Sequence, residues 1–213
     1  MKVRRPALIF DFGNVFAFFD YTRACALLGA RMGLTGAGFL EHVRQRGFMP
    51  LLQSYERGAI GSAAFSRSFS ELAELEISHD EFAVAWSDIF WLNEPVAALV
   101  RSLKDRGYTL VLGSNTNDLH ALQFRRQFAE PLAAFDRLIL SYEVRHSKPA
   151  TEFYLACASA AGAAAGECVF IDDMPENVKG ASDAGMTGIH FRDVPTLVAD
   201  LLALNVEVDV PKS

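Results

Sequence analysis

The sequence predicts an α/β protein: a doubly wound, Rossmann-like parallel sheet with a small helical cap inserted near its start. Short, wholly apolar runs alternate with helical patterns through the second half of the chain. Runs of that length read as strands buried on both faces, and the alternation reads as a parallel sheet with crossover helices. Spacing predicts the insertion. Asp11 and Ser114, beside the first two such runs, are 103 residues apart, whereas Ser114 to Lys148 is 34 and Lys148 to Asp173 is 25. A strand–helix–strand unit needs about 30 residues, so the first crossover is about 70 too long.

The elements follow in order. Ala7-Leu8-Ile9-Phe10 is a strand ending at Asp11. Residues 20–92 break the alternation and read as all-helical. In them Phe65, Phe69 and Leu72 share a helical face, Ser78 and Glu81 have capping-box spacing, and Phe82, Ala85, Trp86, Ile89 and Phe90 follow at helical spacing. This block is the predicted cap, and residues 1–19 and 93–213 are the predicted core domain. Pro95 opens a helix with the stripe Val96, Leu99, Val100 and Leu103, stopped at Gly107. Tyr108-Thr109-Leu110-Val111-Leu112 is the next strand. Asp118 is placed to cap a helix carrying Leu119, Leu122 and Phe128. Strands are then expected over residues 135–140, 168–171 and, more weakly, 187–191. Helices begin after Pro149, with Phe153, Tyr154 and Cys157, at Pro175, closed by Gly185, and at Pro195, with Val198, Leu201 and Leu202.

Composition narrows the function classes. Of 213 residues, 51% are hydrophobic and 22% charged, which argues against bulk disorder. A net charge of −6 offers no basic face, arguing against nucleic-acid and anionic-membrane partners. Cys25, Cys157 and Cys168 form no close pair and no metal spacing, and their odd number suits a reducing compartment. Met1-Lys2-Val3-Arg4-Arg5 imitates the basic start of a signal peptide. The apolar run behind it is broken by Asp11 and Asn14, too early for an export signal or a membrane span. A cytoplasmic protein is expected. A monomer and a homodimer fit the sequence equally.

In a parallel sheet a ligand binds beyond the carboxyl ends of the strands, so the polar residues there carry the chemistry. Asp11 ends the first strand. It suits a nucleophile, a metal ligand or a loop cap, and Gly13 allows close approach of backbone to a bound group. Ser114-Asn115-Thr116-Asn117-Asp118 leads into a helix. Its hydroxyl and backbone N–H groups suit an anion, or an ordinary N-cap. Lys148, before Pro149, can neutralise a phosphoryl group, although most lysines are solvated. Asp172-Asp173 ends an apolar strand, and two adjacent carboxylates there are costly to keep ionised without a cation. Together these parts suit Mg²⁺ and a phosphorylated substrate, with a carboxylate able to form an aspartyl-phosphate.

The order Asp11, Ser114-Asn115, Lys148-Pro149, Asp172-Asp173 resembles the haloacid dehalogenase superfamily over nearly the whole chain, with the cap placed as in its C1-capped branch. Phe10-Asp11-Phe12-Gly13-Asn14-Val15, Tyr55-Glu56-Arg57-Gly58-Ala59-Ile60 and Gly113-Ser114-Asn115-Thr116-Asn117 are similar to bacterial sugar-phosphate phosphatases of the glucose-1-phosphate phosphatase kind, relatives of the phosphatase domain of soluble epoxide hydrolase. The resemblance implies a Mg²⁺-dependent phosphatase of a small phosphorylated metabolite. In it Asp11 is nucleophile and metal ligand, and the Gly13 carbonyl is a second ligand. Asp173 is a further ligand, with Asp172 on the metal directly or through water. Ser114, the Asn115 amide and Lys148 hold the phosphoryl group.

One position departs from the family pattern. Most phosphatases of the superfamily carry an Asp two residues after the nucleophile as general acid and base, and here Gly13 stands there. Either the leaving group is acidic, as in a sugar 1-phosphate, or a cap residue stands in, with Asp20, His42 and Glu56 as candidates. His42, Arg44, Arg46 and Arg57 are candidates for substrate hydroxyls or a second phosphate, at a mouth expected to face residues 14–20 and 44–56. The aromatic stripe Phe65, Phe69, Phe82, Trp86, Phe90 and Trp91 reads as core or as pocket lining. Other readings stay open: a catalytically weak protein of this fold that binds a phosphorylated ligand or a partner, a haloacid dehalogenase, or a phosphomutase. A response-regulator receiver fits poorly, because its acidic pair belongs on the first strand.

Overall fold

The structure is a computed structural model and describes residues 5–208. Residues 1–4, most of the signal-like start, lie outside the described residues. The strands β1 (Ala7–Phe10), β4 (Leu110–Ser114), β5 (Arg137–Leu140), β6 (Cys168–Asp172) and β7 (Thr187–His190) form one parallel sheet in the order β5-β4-β1-β6-β7. The chain moves outward from β1 through β4 to β5, then returns to β6 on the other side of β1. The order therefore reverses between β1 and β6, and a crevice opens beyond their carboxyl ends. Registers of Phe10 with Leu112 and with Ile171 bring Asp11, Ser114 and Asp172 to the same edge.

The alternation of β1 builds two cores. Leu8 and Phe10 point into a large cluster that runs on into the cap, and Ala7 and Ile9 into a smaller one on the opposite face. Helices α6 (Glu94–Asp105), α7 (Asp118–Gln127), α8 (Ala129–Leu132), α9 (Ser141–Val144), α10 (Thr151–Ala161), α11 (Pro175–Asp183) and α12 (Val194–Ala203) supply the layers. Pro95, Pro175 and Pro195 stand at first-turn positions, where no intrahelical N–H is lost. Asp118 does not cap α7. Asn117 does, its side chain accepting from His120 N, and Leu122 is exposed. The strand ends fall within two residues of their expected places, because the polar ends Gly113-Ser114 and Asp172 continue the ladder.

The inserted block holds α1 (Tyr21–Gly29), α2 (Gly36–Arg44), α3 (Phe48–Glu56), α4 (Ser62–Ala73) and α5 (His79–Ser87). It is not all-helical. β2 (Ala17–Phe19) and β3 (Phe90–Leu92) pair antiparallel at its neck, with Phe18 opposite Trp91 and Phe19 opposite Phe90. A three-residue strand shows too little alternation to be recognised, and α5 stops at Ser87, so Ile89 and Phe90 do not extend its stripe. The capping box of Ser78 and Glu81 is present.

Phe65, Phe69, Phe82 and Trp86 are fully buried and form the cap core, with Trp86 stacked on Phe82 (5.6 Å) and on His120 of α7 (5.1 Å). Only Phe90 of the six aromatics reaches the crevice, and Trp91 is exposed. The ring of His120 also meets the Trp86 carbonyl at 3.1 Å, so cap and core share a polar joint inside the apolar seam.

A second joint lies where α3 meets α9. Ser141 Oγ bonds the Glu56 carbonyl (2.6 Å), and Tyr55 donates its hydroxyl to Asp118. Gly58, with φ +63°, lies so close to the Tyr142 carbonyl oxygen that a Cβ would fall 2.4 Å from it. Gly58→Ala should therefore lower the urea midpoint at unchanged m-value. The left-handed backbone alone costs about 1–2 kcal/mol, and displacement of the Tyr142 backbone adds to it.

Candidate active site

Asp11 is the first residue past β1, its N–H donated to the Ile171 carbonyl (2.8 Å) and its Oδ1 accepting from Phe12 N (2.7 Å). Lys148 enters from the loop before α10. Its Nζ is 2.7 Å from Asp11 Oδ1 and 2.6 Å from Asp172 Oδ2, and its side chain is only 1% exposed. Asn115 fixes that loop. Its Oδ1 accepts from Lys148 N (2.8 Å), and its Nδ2 donates to the Lys148 carbonyl (3.1 Å). Asp172 is saturated: its Oδ1 accepts from Met174 N (2.9 Å) and Asn177 Nδ2 (3.0 Å), while Oδ2 meets Lys148. Asp173 is half-buried and accepts from Asn14 Nδ2 (3.1 Å).

Electrostatics follow from this packing. Burial pushes the Asp11 carboxyl well above the carboxylate range, with the Lys148 charge opposing and Asp172 adding to the rise. Burial alone would discharge Lys148, but the Asp11 and Asp172 carboxylates outweigh it and hold its pKa above that of a free lysine. Asp173 is also raised, first by burial, then by Asp172, against the Asn14 hydrogen bond. Carboxylate oxygens of Asp11, Asp172 and Asp173 lie within 4.8 Å of one another. Three carboxylates against one ammonium leave surplus negative charge in a hard oxygen donor set, which fits a small divalent cation.

The residues surround a cavity of about 640 Å³. Asp11, Gly13, Ser114, Asn115, Lys148 and Asp173 line its core side, so these six sequence candidates come together, with Asp172 directly behind Lys148. The expected anion cradle at the start of α7 is largely used internally. Thr116 N donates to Ser141 Oγ, Leu119 N to Asp118 and Tyr55, and His120 N to Asn117.

Of the cap candidates, Glu56 and Arg57 reach the cavity and the others do not. Asp20 caps α1, accepting from Thr22 N (2.8 Å) and Thr22 Oγ1 (2.6 Å). His42 stacks on Phe39 and meets the Ala73 carbonyl, and Arg46 bonds the His42 carbonyl. Sequence reading placed the mouth at residues 14–20 but gave no role to Asn14, and it did not single out Asn177 or the pair Arg145-His146, which also line the cavity. The left-handed φ of Asn14 (+55°) marks a turn residue, a signal available in the Gly13-Asn14 pair. Asn177 follows Asp172 by five residues and carries no signal of its own.

Removal of the lysine isolates its consequences. Lys148→Met leaves the Asp11 and Asp172 carboxylates buried without a counter-charge, which should cost about 3–5 kcal/mol near neutral pH. The Asp11 carboxyl, already raised by burial against the Lys148 charge, then rises further above its unfolded value, so the folded state binds more protons between those limits. The deficit in the urea midpoint should therefore shrink as pH falls from 8 to 5. A deficit independent of pH would contradict this.

A model of haloacid dehalogenase-like hydrolases matches residues 7–185. Among curated proteins, D-ribitol-5-phosphate phosphatase of Bacteroides thetaiotaomicron is 27% identical over 186 residues, 84% of this chain and 87% of that protein. Flavin mononucleotide hydrolase 1 of Arabidopsis thaliana is 45% identical over 65 residues, 30% of this chain, and the match spans 26% of that protein. Among solved structures, a wild-type HAD-family enzyme of Bacteroides thetaiotaomicron, in complex with magnesium and inorganic phosphate, superposes with a TM-score of 0.74 at 25% identity, covering 91% of this chain and 99% of that one. No helix among the described residues is long and apolar enough to cross a membrane. With the family model spanning most of its length, the chain belongs to the haloacid dehalogenase-like hydrolases.

Proposed function

We propose that the protein is a Mg²⁺-dependent phosphatase of a small phosphorylated metabolite, a sugar or polyol phosphate, working through an aspartyl-phosphate on Asp11. One observation carries this reading: a buried carboxylate at the switch point, 2.7 Å from a buried ammonium and surrounded by further carboxylates, opening onto a cavity of metabolite size. The names of the phosphatase relatives support it.

Asp11 and Asp173, with the Gly13 carbonyl, would hold the cation. Asp172, both of whose oxygens are engaged, would hold Lys148 and approach the metal through water. When bound, Mg²⁺ neutralises the acidic cluster and polarises the phosphoryl oxygens. Asp11 attacks phosphorus. Lys148, Ser114 Oγ and the Asn115 amide hold the phosphoryl oxygens as charge shifts, and because they are fixed beforehand, little reorganisation is needed. Asn115 has a second task in this scheme, since its side chain already positions the main chain of Lys148.

Phosphate release from an aryl phosphate, sugar 1-phosphates, a polyol 5-phosphate, a sugar 6-phosphate and a nucleotide should require Mg²⁺, disappear in EDTA, and be absent in Asp11→Asn. Release that survives Asp11→Asn or EDTA would sink the reading. Mg²⁺ should also raise the melting temperature of the wild type. A hundredfold excess over Kd stabilises by about 2.7 kcal/mol, or roughly 5–10 °C for a domain of this size. Asp173→Asn should reduce that shift.

A further inference from the structure

We propose that Glu56, reaching the cavity from the cap, is the acid–base group of the reaction: it protonates the leaving oxygen and then activates the water that releases phosphate. The inference rests on the phosphatase reading above. Glu56 is the last residue of α3, half-buried and on the cavity wall. Its backbone is pinned to the core, because its carbonyl accepts from Ser141 Oγ at 2.6 Å and Gly58 packs on Tyr142. No hydrogen bond or ion pair of its carboxylate is formed with the described residues, and the charge of Lys148 acts on it. Burial pushes that carboxyl up to about 7, with Lys148 opposing, so both forms exist near neutrality.

The other proton carriers around the cavity are committed. Asp11 is the nucleophile, and Asp173 is tied to Asn14 within the acidic cluster. Lys148 is shared by Asp11 and Asp172. The Tyr21 phenol is pushed well above its ordinary value by burial, with Glu56 adding to the rise. His120 is held neutral, its pKa lowered to about 3 by burial, and both ring nitrogens have partners in Asn117 and the Trp86 carbonyl. Arg57 and Arg145 bring only guanidinium N–H donors and no acceptor. Gly13 offers no side chain, and the Phe19 ring fills the adjoining space, its Cε1 2.9 Å from where a Cβ would be. That leaves Glu56 and, at the exposed rim, His146.

The steps balance. An Asp11 oxygen bonds to phosphorus and the bond from phosphorus to the leaving oxygen breaks. The Glu56 proton passes to that oxygen, giving an alcohol, an aspartyl-phosphate and a Glu56 carboxylate. Water then bonds to phosphorus as its proton passes to Glu56, and the bond to Asp11 breaks. Inorganic phosphate leaves, with Asp11 ionised and Glu56 protonated as at the start.

The test compares wild type, Glu56→Gln and His146→Asn with Mg²⁺, on 4-nitrophenyl phosphate and on the best alkyl phosphate of the panel above. A nitrophenolate leaves without a proton and an alkoxide does not, and kcat/KM reports only steps up to departure of the leaving group. Glu56→Gln should lower kcat/KM for the alkyl ester by about 10²-fold or more, yet keep it within about threefold for the aryl ester. The retained aryl activity also certifies the fold. A rapid release of one equivalent of nitrophenolate should precede slow turnover, and the wild-type decline in alkyl-ester kcat/KM above about pH 7 should vanish. Equal losses on both esters, no loss on either, the selective loss in His146→Asn instead, or a wild type active on the aryl ester alone would each overturn the role of Glu56. A wild type that releases phosphate from neither ester would overturn the phosphatase reading itself.

Discussion

The site is organised around one buried ammonium. Lys148 holds the carboxylates of Asp11 and Asp172 on either side, 2.7 and 2.6 Å away, with almost no solvent contact. Such a triad is a poor way to stabilise a fold, because desolvating three charges cancels much of their attraction, and apolar residues of similar volume often do as well. It persists only where every remaining lone pair and proton has a partner. Asn177 and Met174 N bond Asp172 Oδ1, Phe12 N bonds Asp11 Oδ1, and Asn115 holds the backbone of the lysine. The arrangement still leaves Asp173 as surplus negative charge. A fold that carries so much buried charge at a topological switch point is arranged for a ligand, not for stability.

The cap contributes by shape and polarity. Its aromatic core packs around Trp86, and it meets the core through the β2–β3 ribbon, the stacked His120 and the α3–α9 joint. The two walls of the cavity therefore differ. The core wall carries the charges that suit a phosphoryl group, and the cap wall presents Phe19, Tyr21, Met49, Ile89 and Phe90 with a few polar tips such as Gln53 and Glu56. The cationic residues Arg57 and Arg145 lie along the same opening.

Legibility of the sequence followed the length scale of each feature. The sheet was readable because buried parallel strands are continuous apolar runs, and the four polar positions at their ends converge on one cavity as their topology requires. The β2–β3 ribbon was not readable, since three residues carry too little pattern and Ile89-Phe90 extend a helical stripe by coincidence of spacing. The cap of α7 was misplaced by one residue because Asn117 and Asp118 are equally good caps in isolation, and only the bond to His120 N separates them. Glu56 could be named from sequence but not chosen over Asp20 and His42. What separates the three is tertiary: Asp20 is used up in a cap, His42 lies against Phe39 and Ala73, and Glu56 alone faces the cavity.

Phe19 and Glu56 bear on one question, where a proton for the leaving group comes from. The loop after Asp11 is the nearest place for an acid. There the turn through Asn14 brings β2 back so closely that the Phe19 ring occupies the space beside Gly13. An acid at that position would need the ring displaced, and the ring is part of the neck, paired through Phe90 to the other crossing between cap and core. Space and sequence thus agree in excluding an acid from the core loop. With the acid on α3 instead, its position relative to Asp11 depends on the joint at Ser141 and Gly58. Leaving-group protonation then becomes a property of the assembled cap and core, while Asp11 and Lys148 are positioned by the core alone.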